Sequence, residues 1–376
     1  MIDIAIVGGG PVATLLAAEL ARHGVEATRF EARTQAGAGA RAVGLHATAL
    51  SAMEDSGATA RLLADAVRVS VGEARRAGRS LGEVHFDRLH RRHPFVATLP
   101  QSATEHALAH TATRWGAPPV RYGARVTALV PRADAVDIHV GDDVVTARVV
   151  VVAGGLRART LLGQPVRGRR YPDRYLMTDC ADTGHDGERA VVYLDRAGVL
   201  ESFPLPGGRR RFVAWMPPRG DGRTDAERLR EAVARRTGSD AAAASVETAS
   251  AFGVARSRLV AMRRGRVLAI GDTAHEVSPI GGQGMNLGLI DAVTVAPLLA
   301  SAVRSGSGPA ELSGWERDRL RAADRAARIG AINTVLGRPS RAGGAPAVAI
   351  TLATPAERLL AHAYAMGFDP AARQFS

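Results

Sequence analysis

The sequence predicts an α/β fold in which a parallel-sheet domain, built to meet an anion on glycine turns, is interrupted by an antiparallel sheet and closed by C-terminal helices. Three observations predict it. "IAIVGGGPVATLLAAELARHG" (Ile4–Gly24) sets three consecutive glycines between a short apolar run and a run of helical period. "RVLAIGDTAHEVSPIGGQGMNLGLIDAVTVAPLLA" (Arg266–Ala300) repeats the order of strand, glycine loop and helix far along the chain. Between them, Val67–Pro94 and Tyr171–Val254 show the period-2 alternation of half-buried strands.

Ile2–Val7 is apolar and β-branched, as a strand buried in a parallel sheet requires. Gly8, Gly9 and Gly10 follow at once. From Pro11 the residues Val12, Leu15, Leu16 and Leu20 recur at helical spacing, and Gly24 supplies the stop. A second strand, Glu26–Arg33, continues a βαβ beginning. In this turn Gly8 permits the bend, Gly10 lets a pyrophosphate approach the main chain, and Ala13 lets helix and strand pack closely. The helix N-terminus then offers free N–H groups and a positive dipole end. Glu31 ends the second strand where an acid accepts ribose hydroxyls, and it disfavours an extra 2′-phosphate, so FAD or NAD suits the site better than NADP.

Further along, Gln101 opens a helix in "LPQSATEHAL", Val120–Val130 reads as a strand pair, and Val149–Gly155 returns a strand to the first sheet. Arg189–Pro218 reads as a meander with turns at "DRAG" and "PGGR". Period-2 counting puts Val191 with Tyr193, Glu201 with Phe203, and Phe212 with Ala214, without saying which set faces the ligand. Tyr193, Phe203 and Trp215 are candidate pocket walls. Thr224–Gly238 reads as a helix capped by Thr224 with Glu227 three residues on. Ser313–Gly337 reads as a long helix, Gly337–Ala347 as a break, and Thr354–Phe368 as a final helix.

Composition narrows the classes. The chain of 376 residues is 46% hydrophobic and 23% charged, ordinary for a globular protein with a large core. All 49 basic residues are arginine and the formal charge is +12, yet the arginines are scattered. That reads as a GC-rich genome and a solvated surface, not as a nucleic-acid binder. Cys180 is the only cysteine, so no disulfide framework and no cysteine metal site is expected, and the histidines lack metal spacing. No signal peptide and no membrane span are expected either, which places the protein in the cytoplasm. His85, His90, His93, His106 and His110 are expected on the surface.

The second block carries a resemblance. Gly271, Asp272, Ala274, His275, Pro279, Gly282, Gly284 and Asn286 stand where the class A flavoprotein monooxygenases, the para-hydroxybenzoate hydroxylase-like aromatic hydroxylases, have G-D-x-A-H-x-x-x-P-x-x-G-x-G-x-N. The resemblance implies a Rossmann-like FAD-binding domain with an inserted antiparallel-sheet substrate domain. Its segments are expected at 1–66, 95–170 and 255–330 for FAD, 67–94 and 171–254 for substrate, with a C-terminal helical segment at 331–376. It implies that Asp272 meets the ribityl or pyrophosphate region, and that the main chain from Pro279 through Gly282, Gly284 and Met285 to Asn286 lies along the isoalloxazine. It also places Arg41 near the pyrophosphate, Gln101 at the flavin side and Val126 near the adenine. Ala32 and Arg33 join Glu31, Pro11 and Val12 as expected cofactor neighbours, and Pro279 also borders the substrate.

The chemistry implied is transfer of one oxygen atom from O2, through a flavin C4a-hydroperoxide, to an aromatic or polyketide-like small molecule, in secondary metabolism. NADPH or NADH would be the transient hydride donor. The catalytic residue is left open, with His46 as a candidate for a substrate proton; His275 reads as structural. One departure bears on the donor: many members have an aspartate before a glycine after the returning strand, and here Gly154 precedes Gly155, with Ala158 in place of a serine. A separate flavin reductase is therefore an alternative electron source. Two other readings stay open, a reductase or dehydrogenase of the same fold, such as an alkene reductase, and a flavin-binding protein without turnover.

Overall fold

The computed structural model describes residues 1–37, 43–218, 222–306, 312–339 and 345–375. The first strand β1 (Ile2–Val7), helix α1 (Pro11–Arg22) and strand β2 (Ala27–Glu31) form the βαβ beginning. β1 lies centrally, parallel to β2 on one side and to Asp143–Val152 on the other, with Ile4 opposite both Ala27 and Val149. Val267–Ala269 adds a further parallel strand beyond Asp143–Val152, and Arg121–Tyr122 one beyond β2. Buried on both faces, β1, the second half of Asp143–Val152 and Val267–Ala269 are near-continuous in Val, Ile, Leu and Ala, which is why the sequence shows apolar runs there and not alternation.

The expected strand pair in Val120–Val130 is two strands that do not pair with each other. Arg121–Tyr122 joins β2, whereas Val126–Pro131 forms an antiparallel ribbon with Val136–Val140. Gly123, at φ +73°, turns the chain between them.

α1 packs against Gln101–Arg114 and against Gln283–Ser305, a helix that in turn packs on Leu312–Leu336. By length and composition Gln283–Ser305 could cross a membrane, but 67% of its most apolar stretch is buried inside the protein. Leu287, Leu289, Ile290, Val295 and Leu299 are fully enclosed in the main core. A helix apolar all round is what a core position demands.

The second large sheet is antiparallel but for one pairing. Its order runs from His275–Glu276 through Ser250–Leu259, Val166–Ala181, Arg209–Met216, Gly198–Leu205 and Ala190–Asp195 to the hairpin Val71–Arg76 and Arg79–His85. The turns expected at "DRAG" and "PGGR" separate these meander strands. Two strands cross the expected segment limits: Val166–Ala181 and Ser250–Leu259 run unbroken past 170 and 254, paired to each other along both halves. Apart from a register break between Arg170 and Arg174, the pairing continues across both limits, so the inserted sheet reaches into the flanking chain. Val67–Val69 instead pairs with Val96–Thr98 in a small sheet with Gly44–Leu45.

One face of the large sheet is covered by Asp225–Thr237 and Asp240–Ala244, with Val191, Tyr193, Leu200, Phe212 and Ala214 in the core between. Thr224 caps the first of these helices and Glu227 closes the reciprocal bond, forming a capping box. The other face looks toward the parallel-sheet domain.

Candidate cofactor and substrate site

The turn between β1 and α1 lets something touch the main chain. Gly8 sits at φ +132°, and a Cβ there would lie 2.6 Å from the Ala153 carbonyl oxygen, so only glycine fits beside the neighbouring strand end. Gly10 has extended backbone, φ −80°, yet nothing lies within 4 Å of where its Cβ would stand. α1 carries no side-chain cap, so its first N–H groups are free for a ligand. Glu31 is buried beside them. Its Oε2 accepts the Gly9 N–H at 2.6 Å and the Arg33 guanidinium at 3.2 Å, and its Oε1 accepts the Arg33 N–H at 2.9 Å. Burial alone would raise this carboxyl, but the Arg33 and Gly9 contacts outweigh it and hold its pKa below the usual value. A carboxylate has about four acceptor sites, so three bonds leave room for a hydroxyl.

The second glycine loop repeats the device. Gly282 starts the helix Gln283–Ser305 with no side-chain cap. What holds the loop is a buried polar cluster: Asp291 Oδ2 accepts the Gly271 N–H at 2.9 Å and lies 2.6 Å from His275 Nε2, while Oδ1 takes Arg319 Nε at 2.6 Å. Burial pushes the Asp291 pKa up, yet His275 and Arg319 together bring it below the ordinary range. His275 is thus structural, as its place in the motif suggests. Arg159 is likewise an anchor, bonded to Thr273 O at 2.8 Å and to Ser257 Oγ at 2.6 Å.

Both helix starts open on one cavity of about 1310 Å³. Gly8, Gly10, Pro11, Val12, Glu31, Ala32 and Arg33 line it from the first glycine turn and the strand beside it. Asp272, Pro279, Gly282, Gly284 and Met285 line it from the second glycine loop, and Gln101 and Val126 also line it. Ala13 and Asn286 do not reach it. Ala13 is sealed in the core under the turn. Asn286 is fully buried, its Oδ1 accepting the His46 N–H at 2.9 Å and its Nδ2 donating to Gly44 O and Gly282 O, so it clamps two walls together. Arg41 lies outside the described residues.

His46 lines the cavity with Nε2 3.2 Å from Gly282 O. Burial pushes its pKa down to about 4 against the opposing pull of the Gly282 and Tyr364 backbone. A histidine neutral throughout the physiological range has little affinity for a substrate proton. His93 is half-buried and not on the surface, its Nε2 2.5 Å from Glu54.

The roof is the free face of the large sheet. Phe203, Val213, Val192, Leu194, Val199 and Met177 line the cavity there, joined by Phe252. Of the expected walls, Phe203 and Pro279 are present, and Tyr193 and Trp215 are not. Tyr193 is on the opposite face, among the residues under Asp225–Thr237, with its hydroxyl 3.1 Å from Asp186. Trp215 shares the cavity face but lies over Gly198, and its indole N–H donates to Asp173 at 2.9 Å. Both sides of these strands are covered by protein, so alternation alone cannot say which set meets the ligand.

The sequence also passed over Glu201. It lies in the middle of the roof, opposite Val192 on one neighbouring strand and Val213 on the other. A lone acid in the apolar stretch "VLESFPL" was the available signal.

Gly154 shows why the departure from the usual motif is tolerated. A Cβ there would lie 2.8 Å from the Ala158 Cβ and 3.4 Å from Val7 O. The two departures are therefore neighbours in space, packed against each other, and no carboxylate can be added without moving the 158 side of the turn.

Two uncapped helix starts on one cavity, each reached through glycine, suit a long ligand with negative charge at two places. FAD meets that description, with its pyrophosphate and a flavin ring that gains charge on reduction. The FAD binding domain family matches residues 1–329. The chain belongs to this family. A rifampicin monooxygenase of Streptomyces venezuelae is 32% identical over 329 residues, 85% of this chain and 66% of that protein. Thus the chain spans about two thirds of the length of the curated relatives it matches. An anhydrotetracycline hydroxylase structure from Streptomyces rimosus superposes with a TM-score of 0.79 at 28% identity, over 98% of this chain and 76% of that one. A p-nitrophenol 4-monooxygenase of Pseudomonas putida DLL-E4, at 21% identity, shares the fold with a TM-score of 0.82 over 100% of this chain and 95% of its own. The chain accordingly shares its α/β architecture with these hydroxylase and monooxygenase structures.

Proposed function

We propose that this chain is an FAD-dependent monooxygenase that transfers one oxygen atom from O2 to an aromatic or polyketide-like small molecule, in secondary metabolism and in the cytoplasm. The observation that carries the reading is the single cavity running from two uncapped helix starts to an apolar sheet. Its volume of about 1310 Å³ exceeds the roughly 300–1,000 Å³ of a drug-sized ligand pocket, leaving space for a second molecule beside a cofactor. The family names of its relatives point the same way.

In this reading Gly8–Val12 hold the pyrophosphate, Glu31 takes a ribose hydroxyl, and Asp272 meets the ribityl or pyrophosphate region. The main chain at Pro279–Met285 lies along the flavin ring, with its helix dipole favouring the charge that reduction places there. Bound FAD supplies the redox chemistry, accepting a hydride and activating O2. The protein's part is to seat the substrate under Phe203, Val192 and Val213 and to keep water out, so that reduced oxygen is not lost as peroxide. Gly154 favours a second element of the reading, in which electrons arrive from a separate flavin reductase and not from NADPH or NADH bound directly.

The test is the visible spectrum of the purified protein with FAD, taken before and after NADPH or NADH is added without oxygen. Bound flavin that bleaches supports a self-contained monooxygenase. Bound flavin that stays oxidised until a reductase is supplied supports the two-component form. No bound flavin, even with FAD added, overturns the reading.

A further inference from the structure

Most acids that line the cavity are already engaged. Glu73 pairs with Arg75 at 2.6 Å, Glu31 with Gly9 and Arg33, and Glu276 accepts the Ser257 hydroxyl at 2.7 Å. Arg211, also on the roof, is held by both oxygens of Asp179. Glu201 is different. It is only 7% exposed and makes no hydrogen bond or ion pair among the described residues, and it lines the cavity from the centre of the sheet. Its cross-strand neighbours Val192 and Val213 cannot bond it, and Val199 and Phe203 flank it along its own strand. Tyr364 lines the same cavity, its hydroxyl 3.1 Å from Asn333 Oδ1. Burial first, and then the field of Glu201, pushes the Tyr364 hydroxyl up to about 12.

Because Glu201 lines the cavity, a ligand there can supply the bond that the protein does not, and a polar group left unbonded in a buried site costs about 1–3 kcal/mol. Building on the monooxygenase reading, we propose that Glu201 is the specificity residue of the substrate site, and that it bonds a ring hydroxyl, phenolic or enolic, on an otherwise apolar planar substrate. Three features select a hydroxyl. Burial pushes the carboxyl up to about 8, so both protonation states occur near neutrality. A hydroxyl can donate to the ionised form and accept from the neutral one, whereas a carbonyl can only accept and so suits only the neutral acid, and an ammonium can only donate and so leaves the neutral acid's O–H without an acceptor. An ammonium would also bring further donors into a wall of Val, Phe and Met that cannot satisfy them.

The experiment compares naphthol with methoxynaphthalene, its methyl ether, as ligands of the FAD-loaded protein. Binding is read by the change in the flavin spectrum and by calorimetry, without turnover. Wild type is expected to prefer the hydroxyl probe by about tenfold or more, the worth of one good hydrogen bond in a dry site. Glu201→Leu should bind the ether as wild type does and lose the preference. Glu201→Gln, which can still donate and accept, should keep most of it. Equal preference in wild type and Glu201→Leu overturns the assignment, as does failure of wild type to bind either probe. Flavin content, measured on each sample, separates the two readings: a wild type that holds no FAD defeats the flavin reading, whereas a flavin-loaded protein indifferent to the hydroxyl defeats only this one.

Discussion

Gly8 and Gly10 stand two residues apart and do different jobs, which two substitutions separate. Gly8→Ala forces a side chain into φ +132° and onto the Ala153 carbonyl, and should cost about 1–3 kcal/mol in backbone strain alone, with loss of FAD. Gly10→Ala meets no protein atom, so its stability should stay within about 0.5 kcal/mol of wild type while FAD affinity falls. Denaturant midpoints and flavin titration of the two variants check both statements. Glu201 gives a second prediction. Its folded pKa of about 8 lies above the ordinary 4.5, so the stability tied to its proton is fully present below pH 4.5 and is lost as pH rises through 8. Glu201→Gln does not titrate. Its Tm relative to wild type should therefore climb between pH 5 and pH 9, and a gap that stays constant across that range would refute the raised pKa.

At the scale of elements, the buried cluster around Asp291 joins the loop at Gly271 and His275, the helix Gln283–Ser305, the helix Leu312–Leu336 through Arg319, and Asp369. Asp291→Asn leaves His275 and Arg319 facing a neutral amide in a dry site, and should cost about 3–5 kcal/mol in a chemical denaturation experiment. The strands, helices and glycine turns around this cluster were legible because period, caps and glycine placement are local signals. Thr224 with Glu227 announced a helix start, and Gly8–Gly10 announced the turn. The site itself was less legible. Both faces of the meander are covered, so the pattern that located the strands could not tell Tyr193 from Phe203. Asn286 reads as a cofactor contact in the motif, yet its amide is spent tying Gly44 and His46 to Gly282. The distinction depends on a contact spanning 240 residues, which no local pattern records.

For the whole molecule, the two sheets are interleaved along the chain, and the cavity lies between them. A ligand held by residues from Gly8 to Met285 binds only the assembled structure, so it stabilises by mass action. FAD at one hundred times its dissociation constant should add about 2.7 kcal/mol, seen as a single calorimetric transition that moves to higher temperature with FAD concentration. Two transitions, only one of them responding to FAD, would show that the sheets melt separately.

The same interleaving has a consequence for synthesis. The Thr48 N–H and hydroxyl both bond Ala365 O, and the Gln283 amide bonds Ala363 O, so the chain beside His46 and the Gly282 loop is held by residues that for Thr48 lie 317 positions further on. While the ribosome is still extending the chain, β1 and α1 have no sheet partner in Asp143–Val152 and no second helix to lean on. Cofactor capture must wait until the segments that line the cavity, as far along as Tyr364, have emerged, and the nascent chain before that point, with its apolar strand edges bare, is the species that chaperones would be expected to hold.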